Sequence, residues 1–257
     1  MASPTVSIIT PTRNRSQFAR PVFACIAQQD YEKLEWLVAD DSPEPNPFLS
    51  SLSDERVKYF YLSTPMTIGA KRNLLAERAR GEIIVQFDDD DYYAPGYVAR
   101  SVAELEKLAA DMVKLSGFYI YSAIYDRFGY WDLTRKVGRH FVWSRSAPGE
   151  FFATDQTNGW LAQNQLGYGF SYVFTKDVWR SIQFSDRNWG EDGPFAVAVN
   201  QRFRLSIRAD TCGDCLHILH QHNMSKCFPQ YELPRSALDL IFPKAQPYLH
   251  LCYGSHS

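Results

Sequence analysis

Four consecutive carboxylates, Asp88, Asp89, Asp90 and Asp91, follow the apolar run Ile83-Ile84-Val85-Gln86-Phe87 and precede Tyr92-Tyr93. Adjacent negative charges repel unless something cationic sits among them. If the extended backbone continues through the run, Asp88 and Asp90 project to one side, as hard oxygen ligands of the kind Mg²⁺ or Mn²⁺ takes. The plain alternative is a solvated acidic turn. A second acidic pair, Glu191-Asp192, follows Trp189-Gly190 and opens a helical pattern. Acidic residues at a helix start are ordinary caps and dipole partners; a fixed carboxylate is also what removes a proton from a hydroxyl nucleophile. Lys71 and Arg72 stand in the first turn of another helical pattern, where cations oppose the helix dipole and call for an anion such as phosphate. Two solvated bases are the competing reading. Finally, Cys212 and Cys215 form a C-x-x-C with His217, His220, His222 and Cys227 close behind. Zinc is possible there, but a second Cys pair is missing and the histidines alternate as in a strand.

The elements that carry these residues read as an alternation of strands and helices. Val6-Ser7-Ile8-Ile9-Thr10 is a strand ending at Pro11, with Ser16 capping a helix to about Gln29. Leu34–Ala39 is a second strand, ending in Asp40-Asp41-Ser42, and Val57–Leu62 a third, nearer an edge. A helix follows from about Ala70, stopped by Gly81, and then the central strand that runs into the four carboxylates. Pro95 opens a helix to about Met112; alternating aromatic stretches fill residues 113–143, and 144–168 has no clear period. That irregular segment is assigned to the acceptor side. In an open parallel sheet, ligands collect at the carboxyl ends of strands, where the acidic motifs lie.

Composition bounds the partners. With 257 residues the chain is long enough for one α/β domain, and a net charge of −2 argues against a nucleic-acid surface. Aromatics at 15% suit stacking on sugar faces. The start has no signal-like segment and no apolar run approaches a membrane span, so the expectation is a soluble, cytoplasmic protein without a transmembrane segment. Five cysteines, an odd number, favour reduced thiols and an intracellular setting.

Taken together, the phrases resemble glycosyltransferase family 2. They are Val6–Asn14 for its opening strand, Val38–Ser42 for its nucleoside-binding strand end, Gly69-Ala70-Lys71-Arg72-Asn73, Gly81–Asp91 for the D-x-D strand, and Trp189-Gly190-Glu191-Asp192 for the E-D motif. The resemblance implies an α/β fold of the glycosyltransferase A type: a single Rossmann-like domain with a mostly parallel central sheet flanked by helices. Within it, 1–112 would form the nucleotide-sugar-binding half, 113–225 the acceptor-binding half, and 226–257 an irregular tail. The implied activity is an inverting, Mn²⁺- or Mg²⁺-dependent transfer of a sugar from a nucleoside diphosphate, UDP most often, to a hydroxyl of a glycan or other acceptor. By that resemblance Asp41 holds the base, with Pro11 and Arg13 lining its pocket, and Arg72 with Lys71 contacts base or diphosphate. Asp88 lies near ribose and metal, Asp90 binds the metal, Asp89 belongs to the same donor-binding run, and Asp91 faces the donor sugar. Asp192 is the general base and Glu191 supports it. The family's late metal- or diphosphate-contacting His maps to His220 first and His222 second; the family's glycine in that stretch is replaced by Gln221 and His222.

The chemistry agrees. Breaking the anomeric bond leaves charge on the diphosphate, which a divalent ion stabilises, and one base on the opposite face gives one displacement and inversion. A sugar-phosphate nucleotidyltransferase would show a Gly-rich phosphate loop after its first strand, where this chain reads Thr10-Pro11-Thr12-Arg13-Asn14-Arg15. An inactive carbohydrate-binding relative would be expected to lack one acidic motif, and both are present.

Overall fold

A computed structural model describes residues 3–254 except 157, 158, 160, 162, 163 and 224. In chain order the strands and helices are β1 (Val6–Thr12), α1 (Ala19–Ala27), β2 (Leu34–Asp40), α2 (Pro47–Ser51), β3 (Val57–Tyr61), α3 (Ile68–Arg78), β4 (Ile83–Gln86), β5 (Tyr92–Tyr93) and α4 (Tyr97–Leu108). They continue with β6 (Met112–Ser122), β7 (Arg127–Asp132), β8 (Gly138–Val142), β9 (Gly149–Ala153), β10 (Val173–Thr175), α5 (Lys176–Ser181), α6 (Asp192–Arg202), β11 (Leu205–Ala209) and β12 (Cys215–Leu219). Last come β13 (Tyr231–Leu233), α7 (Arg235–Ile241) and α8 (Gln246–Tyr253).

The chain packs as two compact units that interleave in sequence. The first comprises the described residues of Met1–Asp89, Pro95–Lys114 and Gly167–Ile207; the second comprises those of Asp90–Ala94, Leu115–Leu166 and Arg208–Ser257. In the first unit β4, β1, β2 and β3 lie side by side and parallel, with β1 central between β4 and β2. β10 runs antiparallel on the free side of β4 and pairs with Met112 and Val113 of β6. Ile8, Ile9, Trp36, Leu37, Ile84 and Val85 are almost wholly buried, as expected of parallel strands covered on both faces. Even Glu35 of β2 is buried, its carboxylate accepting the Ser7 hydroxyl and the Arg80 N–H, both at 2.7 Å.

α3 begins at an N-cap Thr67 whose hydroxyl accepts the Ala70 N–H at 3.1 Å. Gly69 lets this first turn lie against the chain at Ser185. A Cβ on Gly69 would stand 1.9 Å from the Ser185 carbonyl oxygen, so only glycine fits. The Asn73 side chain then ties α3 to the same stretch, donating to Phe184 O at 2.8 Å and accepting from the Phe184 N–H and the Trp179 indole.

In the second unit β12 runs parallel to β6 and antiparallel to β5, while β6, β7 and β13 form an antiparallel succession. β8 and β9 form a separate hairpin. The tail expected to be irregular from 226 contains β13, α7 and α8, because Leu238, Tyr248 and Leu249 supply apolar anchors that bury almost completely. Its last residues, 255–257, lie outside the described ones, as does part of the 144–168 segment. Among the described residues no helix is long and apolar enough to cross a membrane.

Candidate active site

β4 ends at Gln86, so the strand alternation that was to pair Asp88 with Asp90 does not extend to them. The backbone instead turns at Asp89-Asp90 and bends at Asp91, and the acidic run divides, with Asp88 and Asp89 in the first unit and Asp90 and Asp91 in the second. The chain cannot hold four neighbouring charges on one extended edge without a partner for each, and each of the four carboxylates does have partners.

In the first unit, Asp89 accepts the Thr12 hydroxyl at 2.5 Å and the Arg15 guanidinium at 2.9 Å. Asp88, with a third of its side chain exposed, pairs with Arg72 Nη2 at 3.0 Å. Arg72 Nη1 binds Glu191, and both of those side chains are buried. Burial alone would discourage the guanidinium's charge, but Asp88, Glu191 and Asp192 together hold it firmly protonated. Burial also pushes the Glu191 carboxyl above its usual range against the pull of Arg72. Lys71, equally buried, donates to Thr12 O at 2.8 Å and to Asp41 at 2.6 Å. The two helix-start cations expected to seek phosphate therefore find protein carboxylates instead. Low dielectric makes an unpaired buried cation too costly, and the loops after β2 and β4 bring acids within reach.

Asp41 is fully buried in its side chain and also accepts the Met66 N–H at 2.9 Å, with Arg13 half exposed at 3.6 Å. A carboxylate offers about four lone-pair positions. Lys71, Met66 and Arg13 take up to three of them. Pro11 lies in β1 one residue before Thr12. Asp40, its neighbour, is spent on structure, accepting the Ser42 N–H at 2.9 Å and the Tyr59 hydroxyl at 2.8 Å.

Glu191 takes the N-cap place of α6 but makes no side-chain cap bond. Asp192, the first helical residue, is only half-buried. Its Oδ1 accepts the N–H of the next residue, Gly193, at 2.8 Å, while its Oδ2 accepts the Gly169 N–H at 2.8 Å from a different loop. Two backbone donors, one on each oxygen, fix the carboxylate plane. The two acids differ: Glu191 is buried and paired with Arg72, whereas Asp192 is half-buried and held by two backbone N–H groups. Gly169 was not singled out from sequence. A Cβ there would come within 2.9 Å of Asp192 Cβ and 3.0 Å of Arg72 Nη1, so its glycine is what admits both. Trp189, just before, is 74% exposed.

In the second unit, Asp90 faces His220, Oδ2 to Nε2 at 2.9 Å, with Asn223 Nδ2 at 3.4 Å from the same oxygen. Two adjacent ligands of a small octahedral cation at about 2.1 Å stand about 3.0 Å apart, so this pair fits two positions on Mg²⁺ or Mn²⁺. His220 Nδ1 accepts the His222 N–H at 3.2 Å, so an ion at Nε2 would require the other tautomer and the loss of that contact. The exposed His222 thus serves through its backbone, which favours His220 as the ligand. Among the described residues no group of three or more His, Cys, Asp or Glu side chains is arranged to hold a metal; further positions would fall to ligand oxygens and water.

Asp91, expected to face the donor sugar, is fully buried and paired within the protein. It accepts from His217 Nδ1 at 2.9 Å and from the Ile218 N–H at 2.8 Å, because β12 lays these groups beside it. Burial works against a charged His217, yet Asp91 and Cys227 hold its pKa well above the usual value. The C-x-x-C segment closes around Asp210, whose carboxylate accepts the N–H groups of Cys212, Gly213, Asp214 and Cys215 at 2.8–3.1 Å. Cys212 is exposed, Cys215 and Cys227 are buried, and all are free thiols. The spacing that suggested zinc is accounted for by a carboxylate-capped loop.

The family model for glycosyl transferase family 2 matches residues 7–174, more than half of the chain. The chain belongs to glycosyl transferase family 2. It is 28% identical over 122 residues to the putative colanic acid biosynthesis glycosyl transferase WcaA of Escherichia coli (strain K12), covering 46% of this chain and 44% of that protein. It is 36% identical over 101 residues to the GalNAc(5)-diNAcBac-PP-undecaprenol beta-1,3-glucosyltransferase of Campylobacter jejuni, covering 36% and 32% respectively. The matched stretch thus spans less than half the length of either relative. Among solved structures, S. aureus TarS 1-349 in complex with UDP-GlcNAc superposes with a TM-score of 0.63 at 16% identity, over 85% of this chain and 60% of that one. A second structure of S. aureus TarS gives 0.61 at 17% identity, covering 84% of this chain and 37% of that one. The likeness to TarS supports a mixed α/β fold of the glycosyltransferase A type, with a mostly parallel central sheet.

Proposed function

We propose that this family 2 enzyme transfers a sugar from a nucleoside diphosphate, UDP in the first instance, to a hydroxyl of a glycan or other acceptor with inversion, Asp192 acting as general base. The observation that carries the reading is the pairing of roles at α6: a half-buried Asp192 gripped by two backbone N–H groups, next to a Glu191 already neutralised by Arg72. A hydroxyl loses its proton efficiently only to a base held in position, and a rigid carboxylate with free lone pairs meets that need. Exposed Trp189 offers a ring face for a sugar beside the base.

Asp41 accepts the ring N–H of the nucleobase through the lone pair its protein partners leave, with Pro11 and Arg13 at the same strand ends. Asp90 and His220 are the residues that would hold Mn²⁺ or Mg²⁺, and Asp88 lies on the donor side. When bound, such an ion supplies charge stabilisation to the leaving diphosphate. The chain's own work is to seat the base, hold the Asp192 carboxylate in place and order the loops through Arg72 and Lys71. TarS was crystallised with UDP-GlcNAc and with UDP, which supports a UDP-sugar as the first donor to try.

Incubation with UDP-, GDP- and dTDP-sugars in Mn²⁺ buffer, with and without chelator, tests the reading. UDP release that needs the metal, and an inverted anomeric product, are expected. Turnover that persists undiminished in chelator would remove the metal role, and retention of configuration would remove the single-displacement mechanism.

A further inference from the structure

The last helix of the chain grips the short segment that carries Asp90. α8 is anchored by Tyr248 and Leu249, both almost wholly buried, and the Tyr248 ring meets Tyr92 at a steep angle, 5.6 Å between centroids. From its final residue, Tyr253, the helix makes a second contact two residues earlier: the Tyr253 hydroxyl donates to Asp90 O at 3.2 Å, across 163 residues of sequence. The same ring stands 5.6 Å from the His220 ring, tilted by 40°. Asp90, Tyr92, His220, Asn223 and Tyr253 all belong to the second unit. Asn223 braces the same two residues from another direction, its Oδ1 accepting the His220 N–H while its Nδ2 lies 3.4 Å from Asp90 Oδ2.

We propose that Tyr253 is a positioning residue for the metal pair: its hydroxyl pins the Asp90 backbone so that the carboxylate stays turned to His220 Nε2, at the separation that two neighbouring ligands of Mn²⁺ or Mg²⁺ require. This rests on the reading of Asp90 and His220 as the residues that would hold the ion. Asp90 lies in a turn ahead of β5, where no strand ladder fixes its dihedral angles, and an aspartate side chain is short enough that its carboxylate follows any shift of its own backbone. Groups that orient the ligands from outside are worth about tenfold or more in metal affinity. The Tyr253 side chain is half-buried. A phenylalanine there would fill the same space beside His220; the hydrogen bond to Asp90 O is what the tyrosine adds.

Mn²⁺ titrated into the full chain with UDP present, its free concentration read by electron paramagnetic resonance against a UDP-only control, tests the assignment without turnover. Tyr253→Phe keeps the ring beside His220 and removes only the donor. Its Mn²⁺ Kd should rise about threefold to tenfold, the worth of one hydrogen bond, while UDP affinity in chelator and the melting temperature stay at wild-type values. A Kd within about twofold of wild type would overturn the role of Tyr253 alone. A weaker Kd with a matching loss of metal-free UDP affinity or of melting temperature would overturn it as well, because a purely structural residue damages all three. A wild type that takes up no Mn²⁺ beyond the UDP control would instead remove Asp90 and His220 as the metal pair, and this role with them.

Discussion

Replacing Arg72 with Met isolates the ionic hub of the site. Arg72 is 4% exposed, and it holds Glu191 through one guanidinium nitrogen and Asp88 through another at 3.0 Å. The Asp88 contact is a third exposed, so its loss costs only about 0–1 kcal/mol. Glu191 is different. Stripped of its partner, a buried carboxylate costs about 3–5 kcal/mol, unless it escapes by taking up a proton. Keeping it neutral at pH 7, against an unfolded pKa of about 4.3, costs about 1.4 kcal/mol for each of roughly 2.7 units, or about 3.7 kcal/mol. Protonation therefore caps the penalty at that value, within the range expected for breaking the pair. The cap shrinks as pH falls: at pH 5 it is about 1 kcal/mol. The sign is that of a raised carboxyl pKa, with the folded variant binding more protons than the unfolded chain, so its stability declines as pH rises. Urea unfolding of wild type and Arg72→Met at pH 5 and pH 7 should show a deficit growing from about 1 to about 3.7 kcal/mol. The double variant Arg72→Met/Glu191→Gln should recover most of it. A deficit under about 1 kcal/mol at pH 7, or one that ignores pH, would refute the ion-pair reasoning.

The remaining expectations follow from single contacts. Asp41→Asn should fold but bind UDP about tenfold or more weakly by calorimetry, because the amide has too few acceptor positions for Lys71, Met66 N–H and a base N–H together; unchanged affinity would move base recognition elsewhere. Gly69→Ala should fail to fold stably or lower Tm by about 5 °C or more, since its Cβ meets the Ser185 carbonyl; a normal melting curve would mean α3 does not approach that loop. Lys114 of β6 is buried, which pulls its pKa down to about 7. In wild type, its contribution to stability should rise between about pH 7 and about pH 10, because the unfolded lysine still binds a proton there and the folded one has lost it. The slope difference between wild type and Lys114→Met in urea midpoints at pH 7 and pH 9 checks the sign.

The order of the first strands was legible in the sequence because β1, β2 and β4 are short apolar runs closed by Pro or Asp. Glu191-Asp192, Asp41 and Lys71-Arg72 were equally legible as residue types at element ends. What they bind within the protein was not. The ties from Arg72 to Glu191 and from Lys71 to Asp41 span 119 and 30 residues, and no local pattern encodes them. The end of β4 at Gln86 was hidden because Phe87 extends the apolar run by one residue, so alternation was carried too far into the carboxylates. Gly169 and Lys114 carry no motif of their own; a lysine between Val113 and Leu115 in an otherwise apolar strand was the one available signal. In the tail, Leu238 anchors α7 and Tyr248 with Leu249 anchors α8, apolar positions masked by the prolines around them.

The central claim is that Asp192 removes the acceptor proton, and Asp192→Asn tests it most directly. Asn preserves the helix start about as well as Asp and can still accept one backbone N–H, but it cannot take a proton. With whichever donor the wild type turns over, the variant should keep its melting temperature and UDP affinity while kcat falls at least about a hundredfold. Transfer within a few-fold of wild type, in a variant that folds and binds UDP normally, would contradict the account.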